Sequence, residues 1–145
     1  MNIENMLWIG ESFHSVANEI LPAPDVFLEE EDDSHWFIPY IVNKSFACEL
    51  YLKCILTSSQ ISYNKGHNLE TFFQSLPDEI KEQILNNPRF KGDNRFYEAL
   101  HENSTIFYNW RYCFEDNMEL QVDVVFLDNL TAALHDIAKG IIERQ

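Results

Sequence analysis

Chemistry in this chain of 145 residues has to come from a few polar side chains set among apolar ones. In TIFYNWRYCFED, residues 105–116, Arg111 stands in the middle of an aromatic run. The chain holds 24 Asp and Glu against 10 Lys and Arg, so a cation there is conspicuous. A guanidinium presents its donors as a planar fork, suited to a carboxylate or to a phosphate. Glu115, one turn on, is the local carboxylate that would meet it, and Glu49 is the distant one. An unpaired charge on an apolar face is costly, so the sequence predicts an ion pair between Arg111 and Glu49 that locks two helices together. Phosphate recognition and catalysis are the alternative roles for the same residue.

Other candidates are fewer and plainer. Glu49 and Lys53 are the conspicuous charges of FIPYIVNKSFACELYLKCIL and, at i and i+4, share one helix face. His67 follows Gly66 just before a helix, where it would fix the turn while Asn68 caps the helix. His101 closes an E-x-x-H with Glu98, a spacing that serves di-metal bundles when a second copy and two more glutamates accompany it. The last helix offers Asp128, Thr131 and His135 but no such motif, so no metal is expected. Cys48, Cys54 and Cys113 show no C-x-x-C and read as reduced core thiols of a cytoplasmic protein. Lys81, Arg89, Lys91 and Arg95 put four of the ten cations in one short segment, which is either a solvated loop or a phosphate-contacting edge. There is no glycine-rich phosphate loop, no G-x-S-x-G and no thiol–histidine motif, and no cofactor is expected.

The elements that would position these residues are helical. A chain of this length buries roughly 70% of its unfolded surface, enough for one self-sufficient domain over residues 1–145. Only 4 Gly and 5 Pro leave little material for a many-turned β fold. Residues 2–20 carry Ile3, Met6, Phe13, Ala17 and Ile20 on one seam, with Gly10 as its small member. LPAPDVFLEEEDDS then breaks the pattern, and its acidic cluster over 25–33 reads as a loop or arm. A second helix starts near 34–37, tolerates Pro39 in its first turn, and is apolar nearly all round, hence central. Two short helices follow, LETFFQSL and PDEIKEQILNN, the second opened by Pro77 at its first position. A long helix over about 94–116 carries two parallel stripes. Phe96, Leu100, Asn103, Phe107, Trp110 and Phe114 form the core face, and Tyr97, His101, Ser104, Tyr108, Arg111 and Glu115 flank it. The last helix, about 122–143, repeats Leu127, Leu130, Leu134, Ile137 and Ile141 in the same rhythm. The pattern predicts an all-α bundle of four long helices and two short ones. It offers more apolar faces than one small bundle needs, which predicts a homodimer with the polar stripe near its two-fold axis.

Bulk charge narrows the partners. A formal charge of -14 repels nucleic acid at long range, so DNA is not expected, and RNA only through a local patch. The start MNIENMLWIG has no basic stretch of the kind that opens a secretory signal. No apolar run approaches the about 20 residues that a membrane span needs.

In order, NKSFACELYLKCIL, KGHNLETFFQSLPDEIKEQI and FYNWRYCFE resemble the HEPN superfamily of small helical domains in bacteria and archaea. Its E-x-x-L-K pattern is matched by Glu49, Leu52 and Lys53, its G-H-D-L by Gly66, His67, Asn68 and Leu69, and its arginine segment by Arg111 and Tyr112. The resemblance covers roughly residues 36–140 and implies an HEPN-like bundle that commonly dimerises. Many members are metal-independent ribonucleases of toxin–antitoxin, abortive-infection and CRISPR-linked systems, with an arginine followed four to six residues later by a histidine. Here Arg111 is followed by Tyr112, Cys113, Phe114, Glu115, Asp116 and Asn117, so the histidine is missing. The resemblance therefore implies a non-catalytic dimeric interaction or regulatory module, with an antitoxin or defence component as its protein partner. The alternatives are a divergent ribonuclease using Arg111 with His101 or with a residue of a second subunit, and a nucleotide or small-ligand binder using the pocket beside the polar stripe.

Overall fold

A computed structural model describes residues 2–21, 36–112 and 122–145. The acidic segment 25–33, Cys113, Phe114 and Glu115 lie outside the described residues, and so do the expectations placed on them. What is described is helical, with no strand among the described residues. None of these helices is long and apolar enough to cross a membrane.

Helix α1 spans Ile3–Ile20, and the Asn2 side chain caps it by accepting from the amides of Glu4 and Asn5. Helix α2, Phe37–Ser58, is the axis of the molecule: twelve of its residues are buried, and α1, α6 and α7 pack around it. Its apolar residues run nearly all the way round, which is why it sits in the middle, and the half-buried Phe46, Leu50, Lys53 and Thr57 mark its more open side. At its end Gln60 adopts φ 59°, and the Ile61 and Gln60 amides reach back to the carbonyls of Leu56 and Thr57. That closes the helix in the manner usually left to glycine. Gly10 faces Tyr51 so closely that a Cβ there would stand 2.6 Å from the ring's Cε1, so only glycine lets α1 approach α2 at this depth.

Helix α3 spans Leu69–Gln74 and α4 Asp78–Leu85, followed by a 3-10 turn at Pro88–Phe90. Asn68 caps α3 by accepting from the Thr71 amide, as its spacing predicts. Pro77 stands at the cap of α4, one position ahead of the first helical turn. The loop before α3 is turned by Asn64, whose side chain accepts from the Gly66 amide. The glycine fits there for want of room beside Asn64 Oδ1, not for a positive φ.

The expected long helix over 94–116 is broken. Helix α5 covers Phe96–Glu102 and α6 Ile106–Arg111, with a turn at 103–105 between them. Asn103, Ser104 and Thr105 all have side chains that compete for the backbone, and three in a row favour a stop. Tertiary bonds then use the break. Buried Asn103 donates to the Ala99 carbonyl and accepts from the Asp123 amide, and the Ser104 carbonyl accepts from the Leu69 amide. Among the described residues there are thus three long helices, not four. Helix α7, Val124–Glu143, is capped by Asp123 and buries Leu127, Leu130 and Leu134 against α2, while Ile137 and Ile141 are half-buried.

Candidate functional site

Three of the residues singled out in the sequence meet on the flank of α2. Glu49 is 1% exposed, and its carboxylate accepts from Lys53 Nζ at 2.6 Å and faces His67 Nδ1 at 3.0 Å. Lys53 also lies over the rings of Phe72 and Tyr63. The two motif stretches are therefore joined: the loop before α3 is pinned to the central helix by an imidazole held on a buried carboxylate. With Nδ1 engaged by Glu49, His67 presents Nε2 as its remaining ring nitrogen, and the ring lines a cleft of about 210 Å³ with Asn68, Thr105, Tyr108 and Asn109.

Arg111 does not pair with Glu49. It is exposed at the end of α6, its guanidinium carbon 4.7 Å from the Phe107 ring centre and 4.6 Å from that of Tyr112, to whose hydroxyl it donates at 2.8 Å. No carboxylate among the described residues lies within ion-pair distance of it. Both are isolated charges in the sequence, but Glu49 finds its partners, Lys53 and His67, one turn along its own helix and in the loop before α3. The guanidinium is instead held by aromatic faces, which accept a cation without desolvating it fully. Phe107 links the two groups: His67 lies 5.3 Å from it on one approach and Arg111 stacks on it on another. Tyr108 is exposed beside them. A held imidazole and an exposed, aromatic-stacked arginine are groups that can meet an anion.

Other expected candidates fall elsewhere. His101 is exposed on α5 and faces Glu70 of α3 at 3.1 Å, so the structure gives it a carboxylate rather than Arg111. Of the four clustered cations, Lys81 lies 3.8 Å from Asp78, Arg89 bonds Asp136 at 3.1 Å and Arg95 bonds Glu98 at 3.0 Å. Lys91 alone among them has no ion pair among the described residues. Three of these four cations thus face carboxylates at the surface, where such pairs are weak. Cys48 and Cys54 are free and buried, and burial pushes their thiols up to about 12 and about 11. They are inert fillers of the core. Among the described residues no group of three or more His, Cys, Asp or Glu is arranged to hold a metal ion.

A second polar layer, between α1, α2 and α7, is one the sequence reading missed. Lys44, wholly buried, donates to Asn18 Oδ1 at 2.6 Å and to Asp128 Oδ1 at 2.8 Å. Burial lowers its pKa, and the bond and charge of Asp128 oppose that. Beside it, His14 Nδ1 meets the Tyr51 hydroxyl at 3.1 Å, and His135 Nε2 meets Glu11 at 2.8 Å. Burial above all, then the charges of Lys44 and His135, push His14 down to about 4, so it is neutral at physiological pH. The hydroxyl of Tyr40, whose ring lies under Lys44, has no hydrogen-bond partner among the described residues. The one local signal for this layer was Lys44 itself, a third charge on an otherwise apolar helix. Its partners lie 26 and 84 residues away, beyond any spacing rule.

Compared with protein-family models, with curated proteins and with solved structures, the chain matches none.

Proposed function

We propose that this chain is an HEPN-like helical domain of the cytoplasm, acting as a dimeric interaction or regulatory module, without catalysis of its own, in an RNA-linked or phage-defence system. One observation carries the reading: the motif residues Glu49, Lys53 and His67 are engaged with one another, so the motifs serve to lock a loop onto the central helix. The order of the motif segments along α2, the α3 entrance and α6 supports the family resemblance, and all three elements pack on one another. Tyr97 on α5 and Tyr108 on α6 are exposed, and tyrosines of this kind support pairing of two copies through these helices. The family's cleavage chemistry needs an acid–base group beside the arginine, and such a group contributes about 10²–10⁴-fold. No histidine among the described residues contacts Arg111.

A second reading, phosphate binding or divergent ribonuclease action at this face, is favoured by the exposure of Arg111 and by the cleft that His67 lines. One experiment separates the two. Purified protein is incubated with mixed single-stranded RNA and tRNA in EDTA, alongside Arg111→Ala, His67→Ala and His101→Ala, with light scattering on the same samples. The module reading expects a dimer and no cleavage. Cleavage by the wild type that Arg111→Ala abolishes, with folding intact, establishes the enzyme instead; a monomer at micromolar concentration removes the dimer.

A further inference from the structure

Helix α1 turns one side to α2 and α7, and no other described helix packs closely on its opposite side. On that side Trp8 is 68% exposed, Val16 50% and Ile9 37%. Trp8, Ser12 and Val16 follow at i, i+4 and i+8, so they form a single ridge. Ser12 donates its hydroxyl to the Trp8 carbonyl at 2.9 Å, which leaves a small neutral saddle between two apolar side chains. Trp8 is the most exposed of the large hydrophobic side chains among the described residues, and an open tryptophan is the kind of anchor that carries binding energy at interfaces.

The border of this ridge has one sign. The charges of α1 are Glu4, Glu11 and Glu19, and the helix contains no Lys or Arg. A second copy is a poor occupant for that reason. Two α1 helices crossing antiparallel at Ser12 would bring Glu4 of each copy beside Glu19 of the other, and a parallel pair would set each glutamate beside its own equivalent. Like charges facing each other are penalised at an interface. Alongside the ridge runs a groove of about 860 Å³, walled by Met6 and Ile9 of α1 and by Leu50, Ile61 and Tyr63. Lys53 and Lys65 also line it, the first neutralised by Glu49, so a partner's basic groups belong over the α1 border and its apolar row over Ile9 and the groove.

We infer that the outer face of α1 docks a cationic amphipathic helix of a different protein, whose apolar stripe covers Trp8, Ile9 and Val16 and whose Lys or Arg residues meet Glu4 and Glu19. This is helix-in-groove recognition, with the chain's charge of -14 steering the encounter. It rests on the reading of the chain as an interaction module, but it uses a different face from Arg111, so the RNA assay and this one fail independently.

The test uses the full chain and two synthetic peptides of identical Leu/Lys composition. One carries its leucines on a single helical face and the other is scrambled. Calorimetry at physiological salt is expected to show the amphipathic peptide binding at least about tenfold tighter than the scrambled one. Trp8→Ala is expected to weaken it about tenfold or more, and Val16→Ser to weaken it in the same direction. Both side chains are half or more exposed, so the variants keep the fold, which circular dichroism verifies. Glu4→Gln with Glu19→Gln is expected to slow association and flatten its salt dependence. Equal binding of both peptides, no binding by the wild type, or indifference to Trp8→Ala overturns the proposal. So does a dimer that Trp8→Ala dissolves, since a second copy then occupies the face.

Discussion

Removal of the Asp128 carboxylate exposes how the three long helices are held together. Lys44 is wholly buried and has two acceptors, Asn18 at 2.6 Å and Asp128 at 2.8 Å. Asp128→Ala leaves an ammonium among apolar side chains with one neutral acceptor. Breaking a buried pair from one side costs about 3–5 kcal/mol. The Asp128 side chain is 31% exposed, so water screens part of the attraction and the low end, about 3 kcal/mol, applies. For a chain of this size that lowers the melting temperature by roughly 9 °C. The loss also has a pH signature. Burial already sets the Lys44 pKa below the ordinary lysine value of 10.5, and removing Asp128 lowers it further. Between the folded and unfolded pKa values the unfolded chain binds more protons, so stability rises with pH across that window. The defect is therefore full below the folded pKa and shrinks as pH climbs toward 10.5. Urea unfolding followed by tryptophan fluorescence near neutral pH and at about pH 9.5 reads both effects. Lys44→Met added to Asp128→Ala should recover most of the loss, because no charge is then buried. A loss under about 1 kcal/mol, the same loss at both pH values, or no recovery in the double variant would refute the lock.

Glu49→Gln should cost about 2 kcal/mol in urea unfolding, because a buried charged acceptor of two bonds is lost, whereas exposed Arg111→Ala should stay within about 0.5 kcal/mol. Equal costs would mean that Arg111 is structural after all. Gly10→Ala should destabilise by about 1 kcal/mol or more in the same assay, since its Cβ meets a buried Tyr51 ring that is also tied to His14. Proton NMR should find His14 neutral until the pH nears about 4. With its folded pKa below the ordinary 6.5, stability falls as pH drops from there toward about 4, and His14→Gln should flatten that slope.

Periodicity alone determined much of this protein. The apolar seam of α1 with its small Gly10, the all-round apolar α2 and the leucine rhythm of α7 follow from side-chain spacing, because a helix places every third and fourth residue on one line. The Asn68 cap was legible for the same reason, and so was the shared face of Glu49 and Lys53, although the ion pair was expected with Arg111 instead. Tertiary structure decided the rest. The two stripes of 94–116 run unbroken in the sequence, yet the helix stops at 103–105, where Asn103 and the Ser104 carbonyl take bonds from Asp123 and Leu69. Periodicity cannot register a carbonyl diverted to a distant amide. Isolation in sequence likewise pointed Arg111 and Glu49 at each other, but a charge takes the partner that the packed helices bring closest. For Glu49 that was Lys53 and His67, for Arg111 two aromatic faces, and for Lys44 an aspartate 84 residues further on.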